Sequence, residues 1–163
     1  MKSMRVAVIQ AASVFVDKAA SIQKTVDLIH EASKQDVDLI LFPETMISGY
    51  PRGFTYGAYV GSRSQAGRDD YARFHTSSLA VTLADTKPLR DAAKAAGAMV
   101  VVGISEVGEA GNGGTLYNSM LYITAQGEIA GVHRKLMPTG TERLIWGSGD
   151  GSTLTTVDTD FGT

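Results

Sequence analysis

A chain of 163 residues is long enough for one domain with a real core, and 44% hydrophobic with 20% charged residues is an ordinary globular composition. The formal net charge of −2, with no long run of either sign, argues against a nucleic-acid or membrane-surface partner, since such binding needs a basic face. There are no cysteines, which excludes disulfide scaffolds, thiolate metal sites and a thiol nucleophile within the chain.

Arg5 to Ala11 (RVAVIQA) is a β-branched run that fits a buried strand. It lacks the apolar core of a signal peptide, no stretch reaches the roughly 18 apolar residues that span a bilayer, and the expected compartment is the cytosol. Asp17 is placed to cap a helix in which Ile22, Val26 and Ile29 recur at helical spacing. Val37 to Phe42 (VDLILF) predicts a second buried strand ended by Pro43, and strand–helix–strand in about forty residues is a βαβ-like unit.

Residues 48–78 differ in character, being rich in Gly, Tyr, Arg and Ser, and predict a long functional or interface excursion. Thr86 and Pro88 open a second helix with Leu89, Ala92, Ala93 and Ala96 inward and Gly97 as its stop. AMVVVGIS (98–105) is a third buried strand. GEAGNGGT is a turn, LYNSMLYIT a strand, AQGE a tight turn and IAGVHRKL its antiparallel partner. LTTVDTDFGT at 154–163 reads as a strand leading into a turn, so that a returning strand would be expected to follow. The pattern is α/β with adjacent antiparallel hairpins.

Three positions carry possible chemistry. Glu44 follows Pro43 at the carboxyl end of an apolar strand, where α/β sheets bind ligands. A carboxylate held against apolar surroundings has a raised pKa and serves as a general base; the alternative is a loop residue pointing to water. Lys135 ends a strand whose alternation sends it and His133 to one face and Arg134 to the other. Its ammonium could stabilise charge developing in a transition state, or simply decorate a basic edge strand. Glu142 beside Arg143 is either a surface pair or a neighbour of Lys135, because Pro138 and Gly140 bend the chain between them. GSGDG lacks the lysine of a phosphate loop, Asp158 and Asp160 lack further calcium ligands, and the three histidines show no metal-site spacing.

FPET at 42–45 followed by SGYPRG, then GGTLYNS, AQGEIAGVHRK and HRKLMPTGTERLIWGSGDGS, resemble in order the motifs of the nitrilases, in the carbon–nitrogen hydrolase superfamily. The resemblance runs from about Arg5 to the last residue. It implies an α-β-β-α sandwich, about half of it present here, that becomes a four-layered αββα-αββα arrangement on dimerisation, with longer spirals in some nitrilases. It implies a Glu–Lys–Cys triad: Glu44 as general base, Lys135 as cationic stabiliser and Glu142 as supporting glutamate, with Tyr50 and Phe54 at the pocket rim or in an interface. No metal or organic cofactor is implied, and the partners are a small-molecule nitrile and further copies of the chain. Residues 1–163 are then the N-terminal part of a single domain whose cysteine lies beyond Thr163. Amidase or carbamoylase chemistry of the same superfamily, and a non-catalytic half-chain or assembly module, are the competing readings. Arg134, on the face away from Lys135, is expected to be dispensable for chemistry.

Overall fold

Three of the apolar runs become neighbouring strands of one sheet. The computed structural model describes residues 3–59, 61–109 and 114–163. In chain order the elements are β1 (Val6–Val8), α1 (Lys18–Ser33), β2 (Leu39–Leu41), β3 (Ala58–Tyr59), β4 (Ser62–Arg63), α2 (Gln65–Ser77), β5 (Leu79–Ala80), α3 (Lys87–Ala96), β6 (Met99–Val107), β7 (Leu116–Ile123), β8 (Ile129–Arg134), a 3-10 turn (Gly140–Leu144) and β9 (Trp146–Gly147). The main sheet runs β1-β2-β6-β7-β8, with β5 also on β6 and β9 also on β7. β1, β2 and β6 are parallel, as expected of strands joined through helices, and β6-β7-β8 are antiparallel.

Both helices predicted against the sheet form for the reasons legible in sequence. Asp17 caps α1 by accepting the Ala20 N–H at 3.0 Å. Pro88 sits in the first turn of α3 and Gly97 closes it at φ +61°. α1 and α3 pack side by side on one face of the sheet, where Ile29, Leu89, Ala93, Ile40, Val100, Val102 and Leu121 are fully buried. This is one helix layer on one sheet layer.

The other sheet face is largely open, and this corrects the expectation for the first strand. β1 is three residues long and lies at the edge, and Val6 and Val8 are 42% and 71% exposed. Only Ala7 turns toward the helices. The register places Met120 and His133 of β7 and β8 beside Gly103 on this same open face.

Residues 48–78, the long excursion of the sequence, contain regular elements of their own. β3 and β4 pair as a short ribbon, and Ser64 caps α2 by accepting the Gly67 N–H. Phe74 of α2 is fully buried against Leu116 and Trp146, with Tyr56 and Tyr71 around it, so the aromatic residues build a second small core. The GEAGNGGT turn falls partly on 110–113, outside the described residues; its ends are joined by the Gly108 N–H and the Thr115 carbonyl at 2.9 Å. The strand expected at 154–158 joins no ladder, whereas the turn at 159–162 is present, closed by a bridge between Thr159 and Gly162.

The sheet edge at β6 decides where Glu44 goes. The Phe42 N–H bonds to the Val101 carbonyl and the Ile47 N–H to the Gly103 carbonyl, so two steps along β6 face five along the neighbouring chain. Residues 43–46 are therefore looped out directly over Gly103. A Cβ there would lie 2.4 Å from the Pro43 carbonyl oxygen and 2.7 Å from the Glu44 Cα. Gly103→Ala is expected to destabilise the protein by about 1–3 kcal/mol, the usual cost of forcing extra volume into packed backbone. Chemical denaturation of the two proteins checks this, and equal midpoints with equal slopes would show that the loop over Gly103 yields freely.

Candidate active site

The loop-out ends β2 and lifts Glu44 onto the open face. Its backbone is unusual: Thr45 and Ser48 hold φ of +48° and +96°, although neither is glycine. Conformations of this kind cost on the order of 1–3 kcal/mol each and persist where surrounding structure enforces them. Here Met46 and Ile47, both essentially buried, anchor the loop from below.

Lys135 comes from the opposite direction, one residue past β8. Its N–H bonds to the Asn118 carbonyl at 2.8 Å, and its own carbonyl accepts the Gly149 N–H at 2.9 Å. The alternation read from sequence holds, since His133 and Lys135 line the same cavity, whereas Arg134 turns to the other face and pairs with Glu106. Lys135 Nζ lies 3.1 Å from Glu44 Oε1 and 2.9 Å from Glu142 Oε2. Asn118 Nδ2 also donates to Glu44 Oε1, at 2.6 Å. Two donors thus converge on one oxygen of Glu44.

Glu142 is delivered by the 3-10 turn after Pro138. Its Oε2 accepts the Thr139 N–H at 2.7 Å, the reach-back bond of a capping box, and its Oε1 accepts the Tyr50 hydroxyl at 2.8 Å. The side chain of Glu142 is only 8% exposed, against 32% for Lys135 and 48% for Glu44. Arg143 does not pair with it and donates instead to the Pro138 carbonyl. The result is one continuous chain of contacts, Asn118–Glu44–Lys135–Glu142–Tyr50. It borders a cavity of about 280 Å³ lined by Phe42, Glu44, Gly103, Asn118, Met120, His133 and Lys135.

Burial is the largest influence on Lys135 and acts to lower its pKa, yet the bonds to Glu142 and Glu44 outweigh it and hold the ammonium above the ordinary lysine range. Burial likewise works to raise Glu142, and is outweighed by the Lys135 ammonium, the Thr139 N–H and the Tyr50 hydroxyl, which hold its carboxyl below the usual range. The hydrogen bond to Glu142 is the main reason that the Tyr50 phenol is pushed up. Lys135 is therefore charged and Glu142 ionised at neutral pH. Among the described residues, no group of three or more His, Asp or Glu stands together to hold a metal ion.

Four of the five residues singled out in sequence meet in this one place: Glu44, Lys135, Glu142 and Tyr50. Phe54 does not; it packs on Phe15 and Tyr56, with ring centroids 5.2 and 5.8 Å away, and is 44% exposed. The apolar surroundings expected for Glu44 are present on one side only: Phe42 and Met120 line the cavity beside it, but the face it stands on is uncovered and its side chain is 48% exposed. Asn118 is the site residue that sequence reasoning misses. The signal that could have found it is strand alternation, which sets it on the face opposite Ser119 and therefore on the face of Lys135.

The chain matches the carbon–nitrogen hydrolase family over residues 5–163, and it belongs to that family. It is 46% identical over 162 residues to an aliphatic nitrilase of Sinorhizobium fredii (strain HH103), a match covering 99% of this chain and 51% of that protein. Nitrilase 1 of Arabidopsis thaliana is 41% identical over 160 residues, covering 98% and 45%. The chain thus spans about half the length of the curated relatives it matches. Among solved structures, Nit3 of Saccharomyces cerevisiae, a member of branch 10 of the nitrilase superfamily, superposes with a TM-score of 0.73 at 22% identity, over 98% of this chain and 52% of that one. An amidase from Nesterenkonia sp. gives 0.63 at 20% identity, over 90% and 48%. These structures carry the fold, a mixed α/β architecture of the nitrilase superfamily.

Two of these shifted groups, Glu142 and Lys135, set a pH window. Glu142 is depressed in the folded chain, so its contribution to stability is complete above the ordinary carboxylate range, about pH 4, and is lost as pH falls through its folded value. Lys135 is raised, so its contribution is complete below the ordinary lysine range and is lost as pH rises through its folded value. Glu142→Gln is expected to flatten the acid limb of a Tm-against-pH profile, and Lys135→Met to flatten both limbs. An acid limb as steep in Glu142→Gln as in the unsubstituted protein would contradict this account of the pair.

Proposed function

We propose that the chain is the N-terminal half of a nitrilase, which hydrolyses an organic nitrile with two waters to a carboxylic acid and ammonia. One observation carries the reading: a single ammonium, Lys135, held between Glu44 at 3.1 Å and Glu142 at 2.9 Å beside an open cavity. Two relatives at 46% and 41% identity named as nitrilases support it. A nitrile carbon is a poor electrophile and calls for a thiolate. The 163 residues contain no cysteine, so the nucleophile comes from sequence outside them. In a mutant of the Nesterenkonia amidase, acrylamide adds at the active-site cysteine.

In this reading Glu44 takes the thiol proton. Its Oε1 is occupied by Lys135 and Asn118, which leaves Oε2 as the basic atom. The sulfur attacks the nitrile carbon, and the nitrogen, gaining an electron pair, is stabilised by the Lys135 ammonium and protonated to a thioimidate. Water adds and ammonia leaves, giving a thioester; a second water releases the acid and restores the thiol. Glu142 and Tyr50 keep Lys135 charged and aimed. The same proposal carries self-association into dimers or spirals, with residues 50–74 contributing part of an interface, and a cytosolic location. The lack of a cysteine favours a second reading, in which the chain alone is a non-catalytic assembly module.

In the complete enzyme, Lys135→Ala is expected to lower kcat by at least about 100- to 1,000-fold, the usual cost of losing a donor to developing charge, with a smaller change in substrate binding. Lys135→Arg is expected to be nearly as damaging, because a planar guanidinium cannot replace a compact ammonium between two carboxylates. The assay pairs a nitrile with its matching amide. Faster turnover of the amide would replace nitrilase by amidase, and nitrile hydrolysis by this chain alone would refute the need for an outside nucleophile.

A further inference from the structure

Directly behind the site, on the helix side of the same strands, lies a second ionic cluster that the proposed chemistry does not use. Glu106 of β6 is 4% exposed. Its two oxygens accept Arg134 Nε at 3.0 Å each, Oε1 also accepts Arg134 Nη2 at 2.5 Å, and Oε2 accepts the Ser119 hydroxyl at 2.6 Å. The Arg134 guanidinium in addition lies 4.1 Å over the Tyr117 ring. Every oxygen of a buried carboxylate and one whole face of a guanidinium are committed, which is costly unless the geometry is kept in full.

The position of this cluster in the strands matters more than its presence. Ser119 and Arg134 are cross-strand partners on β7 and β8. Asn118 precedes Ser119, and Lys135 follows Arg134. Because neighbouring residues on a strand face opposite ways, fixing Ser119 and Arg134 from behind fixes the bearing of Asn118 and Lys135 in front. These are the two donors that meet on Glu44 Oε1.

We infer that Glu106, Arg134 and Ser119 form a positioning clamp that sets, through the strand backbone, the placement of Asn118 and Lys135 on Glu44. The inference rests on reading Glu44 and Lys135 as the acting pair. It also replaces the expectation that Arg134 is dispensable: Arg134 contacts none of Glu44, Glu142 or Tyr50, and acts only through its neighbour.

The decisive variant is the double substitution Glu106→Leu with Arg134→Met. It removes the two charges together, so the direct electrostatic effects at Lys135 largely cancel, and it leaves no buried charge without a partner. The readout is titration of the Lys135 side chain and the Glu142 carboxyl by nuclear magnetic resonance on 13C-labelled protein, with Tm measured alongside. The clamp predicts that in the double variant Lys135 falls back toward the ordinary lysine range and Glu142 rises back toward the ordinary carboxylate range. Arg134→Lys, which keeps the charge and loses the two-pronged geometry, is expected to move both partway. Leu89→Ala, a core truncation remote from the strands' ends, should lower Tm and leave both titrations unmoved. Unchanged Lys135 and Glu142 titrations in either folded clamp variant would overturn the inference and reduce the pair to ordinary structural support. Because no turnover is read, failure of the nitrilase assay and failure of the clamp are separate results.

Discussion

The architecture of the site hangs on one ammonium shared by two carboxylates. Lys135 draws Glu44 from the end of β2 and Glu142 from the turn after Pro138, segments far apart in sequence, to within 3.1 and 2.9 Å of a single nitrogen. Without it, Glu44 and Glu142 would stand together with only neutral donors, Asn118, Tyr50 and the Thr139 N–H, to offset their mutual repulsion. With it, each carboxylate still carries one oxygen engaged elsewhere: Glu44 Oε1 by Asn118, Glu142 Oε1 by Tyr50. One cation against two anions leaves the site with a net negative charge.

The sheet explains why this meeting is possible. β6 is lined along one edge by β2, then by the looped-out residues 43–46, then by the bridge at Ile47, then by β5. On its other edge, β7 and β8 run antiparallel and end beside the same loop. Glycine at 103 lets the loop lie against the sheet, and the buried cluster of Glu106, Arg134 and Ser119 holds the strand ends from behind. Lys135 and Asn118 are thus presented by the sheet strands and their ends, and Glu44 is carried by a short loop that runs into the positive-φ residues Thr45 and Ser48. That division of labour, with backbone strain in a segment that carries a site residue and order in the elements that support it, is a general property of preorganised sites.

Much of this is legible in the residues, and the illegible parts have physical causes. Alternation along HRK correctly separates Lys135 from Arg134, and Asp17, Pro88 and Gly97 mark helix ends because capping chemistry is local. Glu44 and Lys135 become a pair only through the motif resemblance, since nothing in either segment reports a contact across 91 residues. The first strand reads as buried because a β-branched run has the same composition at an edge as in the middle of a sheet. The helix within residues 48–78 goes unread because α2 is mostly polar, buries little beyond Phe74, Gly67 and Ser77 and so shows no apolar stripe. Glu106 gives no signal at all: an isolated acidic residue in an apolar strand becomes interpretable only when its arginine partner, 28 residues on, is seen beside it.

The two faces of the sheet also assign different strengths to their ion pairs. Glu106–Arg134, at 5% and 18% side-chain exposure, lies where water cannot compete, and its interaction is correspondingly strong and intolerant of half-removal. Lys135–Glu44, at 32% and 48%, lies on the open face, where solvent screens the same charges and a comparable pair contributes about 0–1 kcal/mol. Under the proposed chemistry the working charges are therefore the weak ones and the idle charges the strong ones. The difference is reasonable for catalysis: a base must stay open to solvent and to an incoming proton, whereas its scaffold must not exchange anything. It also implies that covering the open face would do more than build a pocket. Displacing water from around Glu44 and Lys135 lowers the local dielectric and strengthens every interaction the ammonium makes, including that with charge arising on a substrate nitrogen. On this reading the geometry of the site is already set within these 163 residues, and what the proposed reaction still requires is a nucleophile and the dry surroundings in which that geometry becomes effective.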